Sequence, residues 1–143
     1  MHSMEQTETQ LTLPAQLAHL ESFQDFISAC ARSHLMPEDR ILKLQLASEE
    51  ALMNIFSYAY PDEEPGDVTV RCIRPASNEL LISFEDTGRA FDVLSVEDPD
   101  TGLSLEERNV GGLGIYFIKQ MTDAAWYDRK DNKNILTFRM ILP

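Results

Sequence analysis

LASEEALMNIFSYAYP (residues 46–61) is the stretch on which the fold turns. Just upstream, Pro37-Glu38-Asp39 supplies a helix start, with proline near the first turn and carboxylates facing the positive end of the dipole. From there Ile41, Leu44, Leu46, Ala51, Leu52, Ile55 and Phe56 keep helical spacing to about Tyr60, where Pro61 ends the run. A helix this long, apolar on more than one face, belongs at the centre of the packing. Within it Asn54 stands among Leu52, Met53, Ile55 and Phe56, and a buried amide is costly unless its hydrogen bonds are made.

Outward from this helix the chain alternates legibly. LTLPA (11–15) reads as a short strand stopped by Pro14, and Leu17, Leu20, Phe23, Ile27 and Cys30 mark a helix over 17–31. DVTVRCIRP (67–75) and ELLISFED (79–86) are rich in β-formers and flank Ala76-Ser77-Asn78, which predicts a hairpin. Residues 86–112 carry turn formers without sustained periodicity, and so long a loop in a small domain is usually functional or mobile. GLGIYFIKQMTD (112–123) predicts a third helix. AAWYDRK (124–130) and NILTFRMIL (134–142) predict two closing strands around Asp131-Asn132-Lys133. The order β-α-α-β-β-loop-α-β-β predicts an α+β fold, a two-layer α/β sandwich with helices on one face of a mixed, mostly antiparallel sheet. Residues 1–9 are expected to be a flexible N-terminus and 10–143 one domain.

At 143 residues the chain can bury a full core without staples. No apolar run reaches bilayer-spanning length, and MHSMEQTETQ has neither a basic nor an apolar leader region, so a cytoplasmic chain without membrane contact is expected. Cys30 and Cys72 match no metal or redox spacing and read as two buried thiols. The net charge of −12 argues against a surface that tracks nucleic-acid phosphates. It also requires any polyanionic ligand to be met by a metal cation, backbone N–H groups or a local cluster of basic side chains. Runs at Asp62–Asp67 and Glu97–Glu107 place much of the acidity in loops, where solvation is the default.

Three segments carry polar groups suited to chemistry. Glu50 and Asn54 share a helix face one turn apart. An amide oxygen suits Mg²⁺, and a carboxylate beside it suits proton acceptance from a hydroxyl or water. Read alone, the pair is better explained as a satisfied core amide beside a wet carboxylate. Asp86 ends a strand before Thr87-Gly88, where it could take an exocyclic amine such as that of adenine; read alone it is a turn-initiating aspartate. In NVGGLGIYFIK (109–119), Gly111, Gly112 and Gly114 enter an apolar helix. Free N–H groups there make an anion site, and close packing of a tight turn explains them equally well. The segment is neither a Walker A loop nor a Rossmann opening.

Taken in order, the helix Asn with its Glu, the strand-end Asp-x-Gly, the long loop and the Gly-x-Gly helix resemble the Asn box and two Gly boxes of the GHKL (Bergerat-fold) ATPases. That fold is shared by gyrase, heat-shock-90 chaperones, histidine kinases and mismatch-repair MutL proteins. LASEEALMNIFSYAYP and GGLGIYFIKQMTD resemble more closely the stand-alone bacterial anti-sigma-factor serine/threonine-protein kinases, and the resemblance runs from about Leu11 to Leu142. It implies ATP and Mg²⁺ as cofactors, with Asn54 as the metal ligand and Glu50 as the base for a partner's serine. It further implies Asp86 on the adenine amine, Gly88 leaving room for the ring, Gly112 and Gly114 on the phosphates, a lid over about 94–110, and Thr137 on a water near adenine. The implied partners are a STAS-type anti-anti-sigma protein, whose serine receives the γ-phosphate, and a sigma factor that the kinase sequesters. A nucleotide-gated binding module of the same fold is the alternative. The resemblance allows a homodimer, although no apolar stripe demands one. Tyr58 stands where many relatives carry a basic residue and Ala90 replaces a second Gly, while Arg89 and Arg108 are candidate phosphate partners.

Overall fold

A computed structural model describes residues 7–60, 65–95 and 110–143. Strand β1 spans Thr7–Pro14, preceding α1 (Leu20–Ser33) and α2 (Glu38–Tyr58). Strands β2 (Asp67–Ala76) and β3 (Glu79–Asp86) follow, then α3 (Val110–Met121), β4 (Ala124–Lys130) and β5 (Lys133–Ile141). Strand β1 starts at Thr7, inside the segment expected to be flexible, because its whole length pairs with β2 from Thr7 opposite Arg74 to Pro14 opposite Asp67.

The five strands lie in the order β1-β2-β3-β5-β4, and every pairing is antiparallel. The sheet expected to be mixed is therefore antiparallel throughout the described residues. Period-two alternation sends Val68, Val70 and Cys72 of β2, Leu80, Ile82 and Phe84 of β3, and Leu136, Phe138 and Met140 of β5 into the core. There they meet Phe23, Ile27, Leu44, Ala51, Leu52 and Ile118 from the helices. Helix α2 packs between α1 and α3, the central place its two apolar faces predict. The alternate residues leave the sheet on the other side, where Arg71 pairs with Glu85 and Glu8, and Arg139 with Glu79.

Helix α1 ends in a Schellman arrangement. The Met36 N–H donates to Ala31 O at 3.1 Å and the Leu35 N–H to Arg32 O at 3.0 Å, with Leu35 left-handed at φ 64°. Of the two thiols, Cys72 is buried and Cys30 is half-buried against the same core. Among the described residues no helix is long and apolar enough to cross a membrane.

Candidate functional site

A cavity opens where α2 crosses the ends of β3 and β5. Its apolar wall is Ala51, Ile55, Phe84, Val93 and Leu136, and four polar residues reach it: Asn54, Asp86, Tyr127 and Asn134. Its free space is about 20 Å³, enough for roughly one water. Phe91 and Val93 form one side.

Asn54 is 7% exposed. Its Nδ2 donates to Glu50 O one turn earlier at 2.7 Å, which leaves Oδ1 with no hydrogen-bond partner among the described residues. A buried amide with one satisfied end and an open oxygen facing a cavity fits a hard-cation ligand. Among the described residues no group of three or more His, Cys, Asp or Glu side chains is placed to hold a metal. An ion here would thus rest on Asn54, water and ligand phosphates, the manner in which Mg²⁺ is usually held. Glu50 does not line the cavity; it lies half-buried one turn before Asn54. Burial first, and the neighbouring Glu49 charge second, push its carboxyl above the ordinary value, in the direction that suits a proton acceptor.

Asp86 is 5% exposed. One oxygen, Oδ1, accepts from the Gly88 N–H at 2.9 Å and from Asn134 Nδ2 at 2.9 Å. Burial raises its pKa, opposed in turn by the Asn134 hydrogen bond, the Gly88 N–H and the charge of Arg129. Arg129 itself donates from Nη1 to Gly88 O at 2.9 Å.

Gly88 packs against the end of α2: a Cβ there would stand 2.1 Å from Ala59 O, so the missing side chain admits the helix terminus. Arg89 is likewise committed to α2: its N–H donates to Ala59 O at 2.9 Å and its Nε to Tyr58 O at 2.8 Å. These bonds satisfy carbonyls at the helix terminus, so Arg89 caps α2 through its N–H and Nε. Tyr58 packs on Phe91 with ring centroids 5.5 Å apart.

Thr137 lies away from the cavity. Strand alternation that points Leu136 and Phe138 inward turns Thr137 to the opposite face, in the row between Ser83 and Trp126. The cavity position belongs instead to Asn134, paired with Asp86 across β3 and β5 and 5% exposed. Asn134 and Tyr127 were both missed from the sequence, although period two counted back from Phe138 and Leu136 reaches Asn134. Gly112 falls in the first turn of α3, whose amides lack partners inside the helix, and Gly114 follows it. Of the lid expected over 94–110, only Leu94 and Ser95, in a 3-10 turn, and Val110, which opens α3, belong to the described residues. Arg108 lies outside them.

Residues 13–140 match the histidine kinase-like ATPase domain family. The chain belongs to that family. Within it, the chain is 31% identical over 94 residues to the serine/threonine-protein kinase BtrW of Bordetella bronchiseptica, a match covering 66% of each protein. It is 27% identical over 124 residues to the serine-protein kinase RsbW of Listeria monocytogenes, covering 82% of this chain and 78% of that one. The matched segment is thus just under two thirds of the Bordetella protein. A histidine kinase domain from a blue-light activated histidine kinase of Erythrobacter litoralis shares the fold at a TM-score of 0.55 and 20% identity. That match covers 86% of this chain and 61% of that one. The GHKL resemblance and the α+β sandwich are therefore both borne out, with relatives named as serine-protein kinases.

Proposed function

We propose that this ATPase-family chain is an ATP- and Mg²⁺-dependent serine/threonine-protein kinase. It transfers the γ-phosphate to a serine of a STAS-type anti-anti-sigma partner and also sequesters a sigma factor. The observation that carries the nucleotide reading is the convergence of Asn54 and Asp86 on one cavity. The similarity to proteins named serine-protein kinases supports the reaction.

In this reading Asp86 accepts the adenine amine. The first-turn amides of α3, which lack partners inside the helix, Gly112 among them and Gly114 just beyond, would lie against the phosphates. Asn54 Oδ1 would hold Mg²⁺, which would neutralise phosphate charge. Glu50 accepts the proton of the serine hydroxyl as its oxygen bonds to the γ-phosphorus, and the bond to the β-phosphate oxygen breaks with its electron pair leaving on ADP. Positioning and charge neutralisation supply most of the catalysis for such a transfer.

Two measurements test the proposal. Isothermal titration with Mg-ATP must show binding. Incubation with γ-labelled ATP and a STAS-domain protein from the same organism must then label that protein, with Glu50→Gln abolishing the label while sparing ATP affinity. Equal labelling by the Glu50→Gln variant removes Glu50 from the mechanism. Binding without any labelling leaves a nucleotide-gated binding module in place of the kinase.

A further inference from the structure

Asn134 uses its entire hydrogen-bonding capacity inside the protein. Its Nδ2 donates to Asp86 Oδ1 at 2.9 Å and to Arg89 O at 2.7 Å. Its Oδ1 accepts from the Phe91 N–H at 3.3 Å and from the Tyr127 hydroxyl. An amide has two donor hydrogens and two acceptor lone pairs, so all four are matched, and the orientation is fixed. The flipped amide would place its oxygen against a carboxylate and a carbonyl. The same bonds tie together β3, β4, β5 and the turn after Asp86.

We propose that Asn134 is a positioning residue that makes the cavity select adenine over a six-oxo purine, because it holds Asp86 with one carboxylate oxygen saturated and the other free for the base. This deepens the nucleotide reading of the cavity and rests on it. Asp86 Oδ1 receives two donors, from Gly88 and Asn134. No other donor among the described residues is bonded to this carboxylate, so Oδ2 is the acceptor left for a ligand. An ionised carboxylate only accepts. It pairs with the amine at carbon 6 of adenine and repels the carbonyl oxygen of hypoxanthine or guanine at the same place.

Selection therefore depends on the ionised form, and burial works against that form while the Asn134 amide works for it. Without Asn134, Oδ1 keeps one donor, the carboxyl group is free to turn, and it takes up a proton more readily. A protonated carboxyl both donates and accepts, so it distinguishes an amine from a carbonyl poorly. Tyr127 and the Phe91 N–H act one step further out, by fixing the amide that fixes the carboxylate.

The test compares Mg-ATP with Mg-inosine triphosphate, which exchanges the amine for an oxo group, by titration calorimetry from about pH 6 to about pH 8. Wild type, Asn134→Ala and Tyr127→Phe are measured, with circular-dichroism melting as the check on folding. Wild type should prefer ATP by about tenfold or more, the value of one hydrogen bond to a charged group. In Asn134→Ala the ratio should shrink to within about threefold, with Tyr127→Phe between the two. Acidification should weaken ATP binding by Asn134→Ala at a higher pH than it weakens wild type. A folded Asn134→Ala that loses ATP and inosine triphosphate affinity together, ratio intact, has suffered structural damage only, and that result overturns the proposal. If Asn134→Ala does not fold, an unchanged ratio in Tyr127→Phe overturns it. A wild type that binds neither nucleotide, or both equally, overturns the nucleotide reading itself and the proposal with it.

Discussion

Gly88 lies so close to Ala59 that a methyl group on it would stand 2.1 Å from the Ala59 carbonyl oxygen, the same oxygen that accepts the Arg89 N–H at 2.9 Å. The end of α2 and the turn after β3 are thereby locked at one backbone contact, and Asp86 is two residues from it. Gly88→Ala is expected to push the two apart and lower stability by about 1 to 3 kcal/mol, the range of overpacking a tight site. Urea unfolding reads this directly, and a midpoint unchanged from wild type would show that the helix end yields freely.

Asp86→Asn should separate binding from stability. Gly88 and Asn134 both donate to the Oδ1 position, so the new amide must keep its oxygen there and turn its NH₂ to the cavity. That donor faces the donor of adenine, and ATP affinity should fall about tenfold to a hundredfold while inosine triphosphate gains relative to it. A variant that still prefers ATP would contradict this geometry.

The same substitution carries a pH signature. Burial raises the folded pKa of Asp86 above its unfolded value, about 3.9 for a free aspartate. A group so shifted contributes stability that is fully present below the unfolded pKa and is lost as pH rises through the folded one. Relative to wild type, Asp86→Asn should therefore become more stable between about pH 4 and about pH 7. Denaturation at both pH values checks the sign, and a relative loss at the higher pH would mean that the hydrogen bonds and Arg129 outweigh burial.

Asn54→Ala removes the open amide oxygen. With the metal present, ATP affinity should drop about tenfold or more. In excess chelator it should change by no more than about twofold, since the base contact is untouched. Equal losses with and without Mg²⁺ would assign Asn54 to packing alone.

Leu35 is a separate matter of backbone strain. It is left-handed at φ 64° and 83% exposed, so its side chain has little packing to offset the cost of that conformation. Leu35→Gly should raise stability by about 0.5 to 1 kcal/mol. A decrease would mean that the leucine has contacts worth more than the strain.

Much of this architecture was legible because the apolar periods are clean. The run from Ile41 to Phe56 marked α2, and the alternating β-formers of 67–86 and 134–142 marked three strands to within a residue or two. The site was harder. Asn54 and Asp86 took their site roles from the ordered resemblance, since each read alone fits a satisfied core amide or a turn-initiating aspartate. Thr137 was assigned by resemblance although the inward parity of Leu136 and Phe138 already turned it away. The roles of Gly88 and Arg89 depend on where α2 ends in space, which no local pattern encodes. Asn134 lacked a signature of its own, since its importance comes from partners at Asp86, Arg89, Phe91 and Tyr127.

The turn between β4 and β5 consists of Asp131 and Asn132, both left-handed at φ 52° and 63°, closed by Lys130 opposite Lys133. It works as a counting device. Strand β5 is pinned to β3 by buried side chains, so where the two-residue turn is kept, an extra residue inserted at 131–132 slides β4 one step along its edge. Trp126 would then turn inward and Tyr127 outward, and the Asn134 amide would lose the hydroxyl that fixes it. Lengthening an exposed loop by one residue would thus rewrite the chemistry of a cleft that the loop never touches.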